Sequence, residues 1–148
     1  MNELRVEMLT SERALELWPR LVPWVEKSIK GNTMTSGDMD TQYVFNAVAS
    51  DEAVIFVGFE GTLVALVLVI QFHHVGKKLA ASIIAMAGRK LRAFASQFWP
   101  PVVDWLRANK VDFLDTYVPT SRVMVYINKF GFDKSCAKVR MTLGESHG

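Results

Sequence analysis

The chain has 148 residues, half of them apolar, with four Trp, three Tyr and nine Phe, and a formal net charge of +2. That size and composition fit one domain with a real buried core, and so small a net charge gives no global reason to expect nucleic acid as a partner. The longest apolar run, Leu63 to Ile70, falls far short of the roughly 20 residues a membrane span requires, so a membrane partner is not expected.

Leu4 to Leu9 alternates like a half-buried strand. Thr10 or Ser11 is suited to cap a following helix, with Glu12 in its first turn. Leu15, Trp18, Val22, Val25 and Ile29 recur at helical spacing and are expected to face the core. Pro19 and Pro23 interrupt that pattern, which predicts two short helical pieces rather than one. Gly31 to Asp38 reads as a loop, and Met39 to Ala49 as a second helix with Tyr43, Val44, Ala47 and Val48 turned inward.

Val54 to Phe59 and Leu63 to Phe72 are β-branched and aromatic runs joined at Glu60-Gly61, the clearest hairpin in the chain. Their apolar residues are nearly continuous, which predicts cover on both faces. His73 to Lys78 is expected to turn the chain into a further strand, Leu79 to Ala87, followed by a basic loop, Gly88 to Arg92. Leu91, Phe94, Phe98, Val102, Trp105 and Leu106 then form one helical stripe. Pro100 disfavours helical dihedrals at Trp99, so the spacing predicts a break, with a second segment restarting at Pro101 and ending near Asn109. Trp99 is the tryptophan expected at the surface. Val111 to Val118 reads as a strand, Thr120 or Ser121 to Lys129 as a helix closed by Gly131, and Lys138 to Leu143 as a last strand before a frayed tail.

Charge is unevenly spread. No Asp or Glu occurs between Glu60 and Asp104, whereas Lys77, Lys78, Arg89, Lys90 and Arg92 all fall inside that gap. Such a stretch suits an anion, or is simply a solvated basic loop. The single Cys136 forms no internal disulfide, and the N-terminal residues lack the apolar run of a secretory signal. A cytoplasmic location is the expectation. His73 and His74 are adjacent and would face opposite ways on a strand, so no metal is expected.

The order strand, basic loop, helix, strand, helix, ending in Lys129-Phe130-Gly131-Phe132, resembles the second half of a GNAT domain (Gcn5-related N-acetyltransferase). With the earlier elements the whole chain reads β-α-α-β-β-β-α-β-α-β, a mixed-sheet α/β domain of the acyl-CoA N-acyltransferase type. The resemblance implies a single domain over 1–148. Within it, 1–50 is an N-terminal strand with helices, 51–87 the central strands, 88–143 a loop-helix-strand-helix-strand core, and 144–148 a tail. It also implies that acetyl-CoA or CoA lies beside the strand that ends at Met86 and Ala87, with its pyrophosphate on the following loop.

The family's loop reads Gln/Arg-x-x-Gly-x-Gly/Ala, whose glycines let backbone N–H groups close on phosphate. Starting the match at Arg89 places Arg92 and Phe94 at the small positions; starting at Gly88 places Leu91 and Ala93 there. Either register loses the central glycine, and Arg89, Lys90 and Arg92 would have to meet phosphate by charge instead. The family often has an Asn opening its last helix and, seven residues on, a Tyr that protonates the departing thiolate. Counted back from Gly131, those positions are Thr120 and Ile127. Tyr126 is adjacent but points roughly 100° around the helix.

A general base would be a carboxylate near the same strands. Asp112 and Asp115 stand on opposite faces of the predicted strand Val111 to Val118, and Asp115 shares its face with Tyr117. The candidates are therefore Asp115, Tyr117 and Tyr126 for catalysis, and Met86, Ala87, Arg89, Lys90, Leu91, Arg92, Ala93 and Thr120 for the cofactor. The chain is also similar in length and layout to the small GNAT-fold proteins of short-tailed bacteriophages, which have a basic, glycine-poor loop. Two functions follow from these resemblances. One is a phage-encoded GNAT-fold protein with a degenerate acyl-CoA site that binds a host or virion protein. The other is an active acyl-CoA-dependent N-acetyltransferase with an altered phosphate loop.

Overall fold

A computed structural model describes residues 4–31, 40–88 and 97–115. Its elements are β1 (Leu4–Leu9), α1 (Ser11–Gly31), α2 (Thr41–Ala49), β2 (Ala53–Glu60), β3 (Leu63–Val75), β4 (Lys78–Gly88), α3 (Trp99–Ala108) and β5 (Phe113–Asp115). The predicted loop over 32–38, the helix ending at Lys129, the strand Lys138 to Leu143 and Cys136 lie outside the described residues. The five strands form one sheet in the order β1-β2-β3-β4-β5, antiparallel except for the parallel pair β4 and β5.

Strand β2 along most of its length and β3 from Val64 to Ile70 are buried because both faces of the sheet are covered there. On one face α1 and α2 pack through Leu21, Val25, Val44 and Val48 onto Ile55, Val57, Val67 and Val69. On the other, α3 packs through Trp99, Val102 and Leu106 onto Phe56, Leu66, Leu68 and Ile70. Burying one such aliphatic side chain contributes about 1.5–3 kcal/mol, so these two layers hold the sheet in place.

The turns and caps are local chemistry. Gly61 and Gly76 each open a two-residue hairpin turn with φ 63°, a conformation glycine adopts without strain. Thr10 caps α1 by accepting from Arg13 N–H at 3.2 Å. Asp40 caps α2 by accepting from Tyr43 N–H at 2.8 Å. Helices α2 and α3 end alike. Asp51 and Lys110 take left-handed dihedrals, φ 62° and 59°. The next residue donates back to the last turn, Glu52 to the Ala47 carbonyl at 2.9 Å and Val111 to the Leu106 carbonyl at 3.1 Å.

Several sequence expectations need correction. Helix α1 is continuous through Pro19 and Pro23. Leu15, Pro19 and Pro23 form one exposed row at i, i+4 spacing. The carbonyls that lose a donor, those of Leu15 and Pro19, therefore lie on the solvent side of the helix. For the same reason Leu15 is not core; the buried stripe is Ala14, Leu21, Val25 and Ile29, flanked by Leu17 and Trp18. Tyr43 is exposed rather than inward, its hydroxyl donating to Gln71 Oε1 at 3.0 Å.

The segment carrying the proline pair starts at Trp99, not Pro101. Pro100 and Pro101 sit in the first turn, where backbone N–H groups have no intrahelical acceptor to lose. Trp99 packs against the sheet with Phe56, Leu66, Leu68 and Ile70 and is buried, 8% exposed, not a surface residue. His73 and His74 belong to β3, and the turn after them is only Gly76-Lys77. Val111 and Asp112 precede β5 instead of opening it, because Val111 completes the closing turn of α3.

Candidate functional site

The C-terminal end of β4 carries the first candidates. Met86 and Ala87 pair with Leu68 and Val67 of β3, so their side chains point to opposite faces, Met86 toward the α3 side and Ala87 toward the α1 side. Met86 is exposed and Ala87 half-buried. Along the outer edge of β4 the Met86 N–H donates to Ser28 Oγ of α1 at 2.8 Å. This backbone donor thus faces away from β3, toward the side where β5 pairs lower down. Gly88 closes the strand against β3 so tightly that a Cβ there would stand 2.1 Å from Leu66 Cδ2 and 2.6 Å from the Ala65 carbonyl oxygen. Glycine is required by that approach, before the basic loop begins.

A bulge shapes the middle of the same strand. Val69 pairs with Ala85 and Ile70 with Ile83, leaving Ile84 as the extra residue. Nearer the start of β4, the described pairing with β5 covers Ala80 to Ser82.

Asp115 is exposed and stands level with Ser82. Ser82 and Met86 are four residues apart on β4, so Asp115 lies about 10–13 Å along the sheet from the Met86 end. The structure therefore places Met86 and Ala87 at one end of β4 with their side chains on opposite faces, and puts Asp115 on the same strand pair, further back. Asp112 is not a strand residue. Its N–H donates to the Leu79 carbonyl at 2.8 Å and its Oδ2 accepts from Leu79 N–H at 2.8 Å, a reciprocal clamp that aligns the start of the parallel pair. Arg89, Lys90, Leu91, Arg92, Ala93, Tyr117, Thr120 and Tyr126 lie outside the described residues.

Among the described residues no three or more His, Cys, Asp or Glu stand together so as to hold a metal ion. Among them, too, no helix is long and apolar enough to cross a membrane.

No protein-family model matches the chain, and no curated protein matches it. Solved structures do match over nearly the whole length. A GCN5-related N-acetyltransferase from Ralstonia eutropha JMP134 superposes with a TM-score of 0.72 at 10% identity, covering 95% of this chain and 99% of its own. A predicted acetyltransferase from Clostridium acetobutylicum, solved with acetyl-CoA, gives 0.66 at 12% identity, covering 99% and 100%. An aminoglycoside acetyltransferase from an uncultured soil metagenomic sample gives 0.71 at 13% identity, covering 96% and 99%.

The chain has the GNAT fold.

Within that fold, sequence reasoning missed four polar residues. Ser28 reads as an incidental serine beside Ile29, yet it holds the edge donor of β4. Helical spacing predicts Tyr43 in the core, whereas its hydroxyl meets Gln71 at the surface. Gln71 and Ser82 interrupt long apolar strands, and that interruption is the signal from which they are readable.

Proposed function

We propose that this chain is an acyl-CoA-dependent N-acyltransferase working on a primary amine. The observation that carries the reading is the end of β4. An outward backbone N–H at Met86 and a closely packed Gly88 lead directly into Arg89, Lys90 and Arg92, inside a stretch without a single acid. The Met86 N–H is held by Ser28 Oγ, a neutral hydroxyl that a carbonyl of an acyl-CoA arm can displace, and the three cations suit the phosphates of such an arm. The full-length likeness to acetyltransferases, one of them solved with acetyl-CoA, supports the same reading.

In the reaction the amine nitrogen attacks the thioester carbonyl, the N–C bond forms and the C–S bond breaks. The thiolate leaves with the electron pair, and the proton of the amine passes to solvent. Ile127 cannot donate a proton to that thiolate. A thiol with an ordinary pKa of about 8.5 leaves readily as the anion, however, whereas the competing amine does not. Positioning then carries most of the rate. Asp115 is the group that orients the incoming ammonium and relays its proton.

Thiol release from acetyl-CoA in the presence of an amine panel, together with a thermal melt, tests this. With acetyl-CoA about 100-fold above Kd, binding adds roughly 2.7 kcal/mol, a rise of about 5–10 °C for a chain of this size. No shift at millimolar acetyl-CoA and no thiol release would overturn the reading. A second reading is favoured by the side chains at the loop and at Ile127: a phage-encoded GNAT-fold protein, acting in the host cytoplasm, that binds a host or virion protein without turnover. A pull-down recovering one specific partner, with no acetyl-CoA shift, is the outcome that supports it.

A further inference from the structure

One polar row crosses three strands on the α1/α2 face of the sheet. Gln71 of β3, Ser82 of β4 and Asp115 of β5 are in register. Ala53, level with Gln71 on β2, belongs to the core under α1 and α2, which fixes the face. Strands lie about 4.8 Å apart, so the row spans about 10 Å. Tyr43 of α2 reaches its inner end, donating to Gln71 Oε1 at 3.0 Å.

The unpartnered polar atoms of the row reach solvent, since among the described residues no buried side-chain nitrogen or oxygen lacks a hydrogen-bond partner, and a ligand can therefore reach them too. Gln71 and Ser82 are half-buried between the fully buried Ala53 and Ala80, on strands whose neighbouring positions are apolar. A polar group in such a place is stable when hydrogen-bonded. Gln71 has Tyr43 at its oxygen; among the described residues the Ser82 hydroxyl and the Asp115 carboxylate have no hydrogen-bond or ion-pair partner. The row thus presents donors and acceptors at one end and an anion at the other.

We infer that this row is the seat of the acyl acceptor and selects a primary amine flanked by hydroxyl or amide groups. The ammonium lies on Asp115, and the neighbouring polar groups of the ligand lie across Ser82, Gln71 and Tyr43. The inference rests on the N-acyltransferase reading and names its acceptor class. Tyr43, Gln71 and Ser82 are then specificity-determining residues, and an apolar amine, which leaves them unmatched, is a poor acceptor.

The test uses the full chain, with glucosamine as the probe and propylamine as the apolar control. Thiol release from acetyl-CoA is measured for wild type, Gln71→Leu, Ser82→Ala and Tyr43→Phe, each shown by thermal melt to be folded. The expected result is a KM for glucosamine about 5- to 10-fold higher in Ser82→Ala and Gln71→Leu, the loss of one hydrogen bond. The KM for acetyl-CoA should stay unchanged, and the rate with propylamine should rise in Gln71→Leu, which removes a polar group that propylamine leaves unmatched. Independently of turnover, glucosamine should shift the Gln71 side-chain amide and Ser82 backbone resonances in NMR spectra. Turnover with unshifted resonances and no change in KM overturns the acceptor seat and leaves the acyltransferase reading standing. Shifted resonances without turnover support the amine seat and overturn the acyltransferase reading. Neither turnover nor shifts overturns both.

Discussion

Replacing Gly88 with alanine would drive a methyl carbon to 2.1 Å from Leu66 Cδ2 and onto the Ala65 carbonyl. Since the carbonyl cannot move aside cheaply, Gly88→Ala should destabilise the fold by about 2–3 kcal/mol, measurable by urea unfolding. Lys110 gives the opposite sign. Its φ of 59° strains an exposed residue with a Cβ, so Lys110→Gly should raise stability by up to about 1 kcal/mol, near 3 °C in Tm. At this scale the sequence was legible where the rule is local: Thr10 as a cap and Asn109 as the end of α3 are both in place. Trp99 was not legible, because its burial depends on α3 meeting β2 and β3 across the sheet. Nothing in the Trp99-Pro100-Pro101 triplet encodes that contact.

Helix α1 shows how an element can tolerate a rule-breaking residue. Two prolines four residues apart lose their hydrogen bonds on one solvated row, leaving the buried stripe of Ala14, Leu21, Val25 and Ile29 undisturbed. Pro19→Ala should therefore keep the fold and stabilise it by about 1–3 kcal/mol, read as a higher urea midpoint with an unchanged slope. Helix α3 depends instead on Trp105, packed edge-on to Phe56 at 5.5 Å and tilted against Phe72 at 5.9 Å. Trp105→Ala should cost about 3–5 kcal/mol, with the loss of near-ultraviolet circular dichroism marking detachment of the helix. The β2–β3 hairpin was legible because its alternation and turn chemistry lie within a short window. The extension of β3 through His73 and His74 was not, since only pairing with β4 makes those residues a strand.

For the molecule as a whole, cofactor binding should follow loop charge. Changing Arg89 and Arg92 together to Glu should abolish the acetyl-CoA melt shift while the protein alone melts as before; an unchanged shift would remove the phosphate role of that loop. The order of elements was readable across the described chain because each strand and helix carries its own periodicity. The polar row of Tyr43, Gln71, Ser82 and Asp115 was not readable in advance. Its members come from α2, β3, β4 and β5 and meet only through strand register, which no single stretch of sequence specifies.

The extra residue at Ile84 has a consequence for how this strand can evolve. Before it, Ala81 and Ile83 face α3; after it, Ala85 and Ala87 face α1. Side chains alternate with a period of two, so the one-residue offset is what lets Ser82 share the α1 side with Ala85. Deleting Ile84 would straighten the ladder and invert one end of β4 relative to the other. Either the Ser82 end would turn its hydroxyl into the α3 core, or Gly88 would leave its place against Leu66. Single-residue length changes are thus forbidden here even though the strand's composition is permissive, and lineages carrying this domain should preserve the spacing from Ser82 to Gly88 more strictly than the residues that fill it.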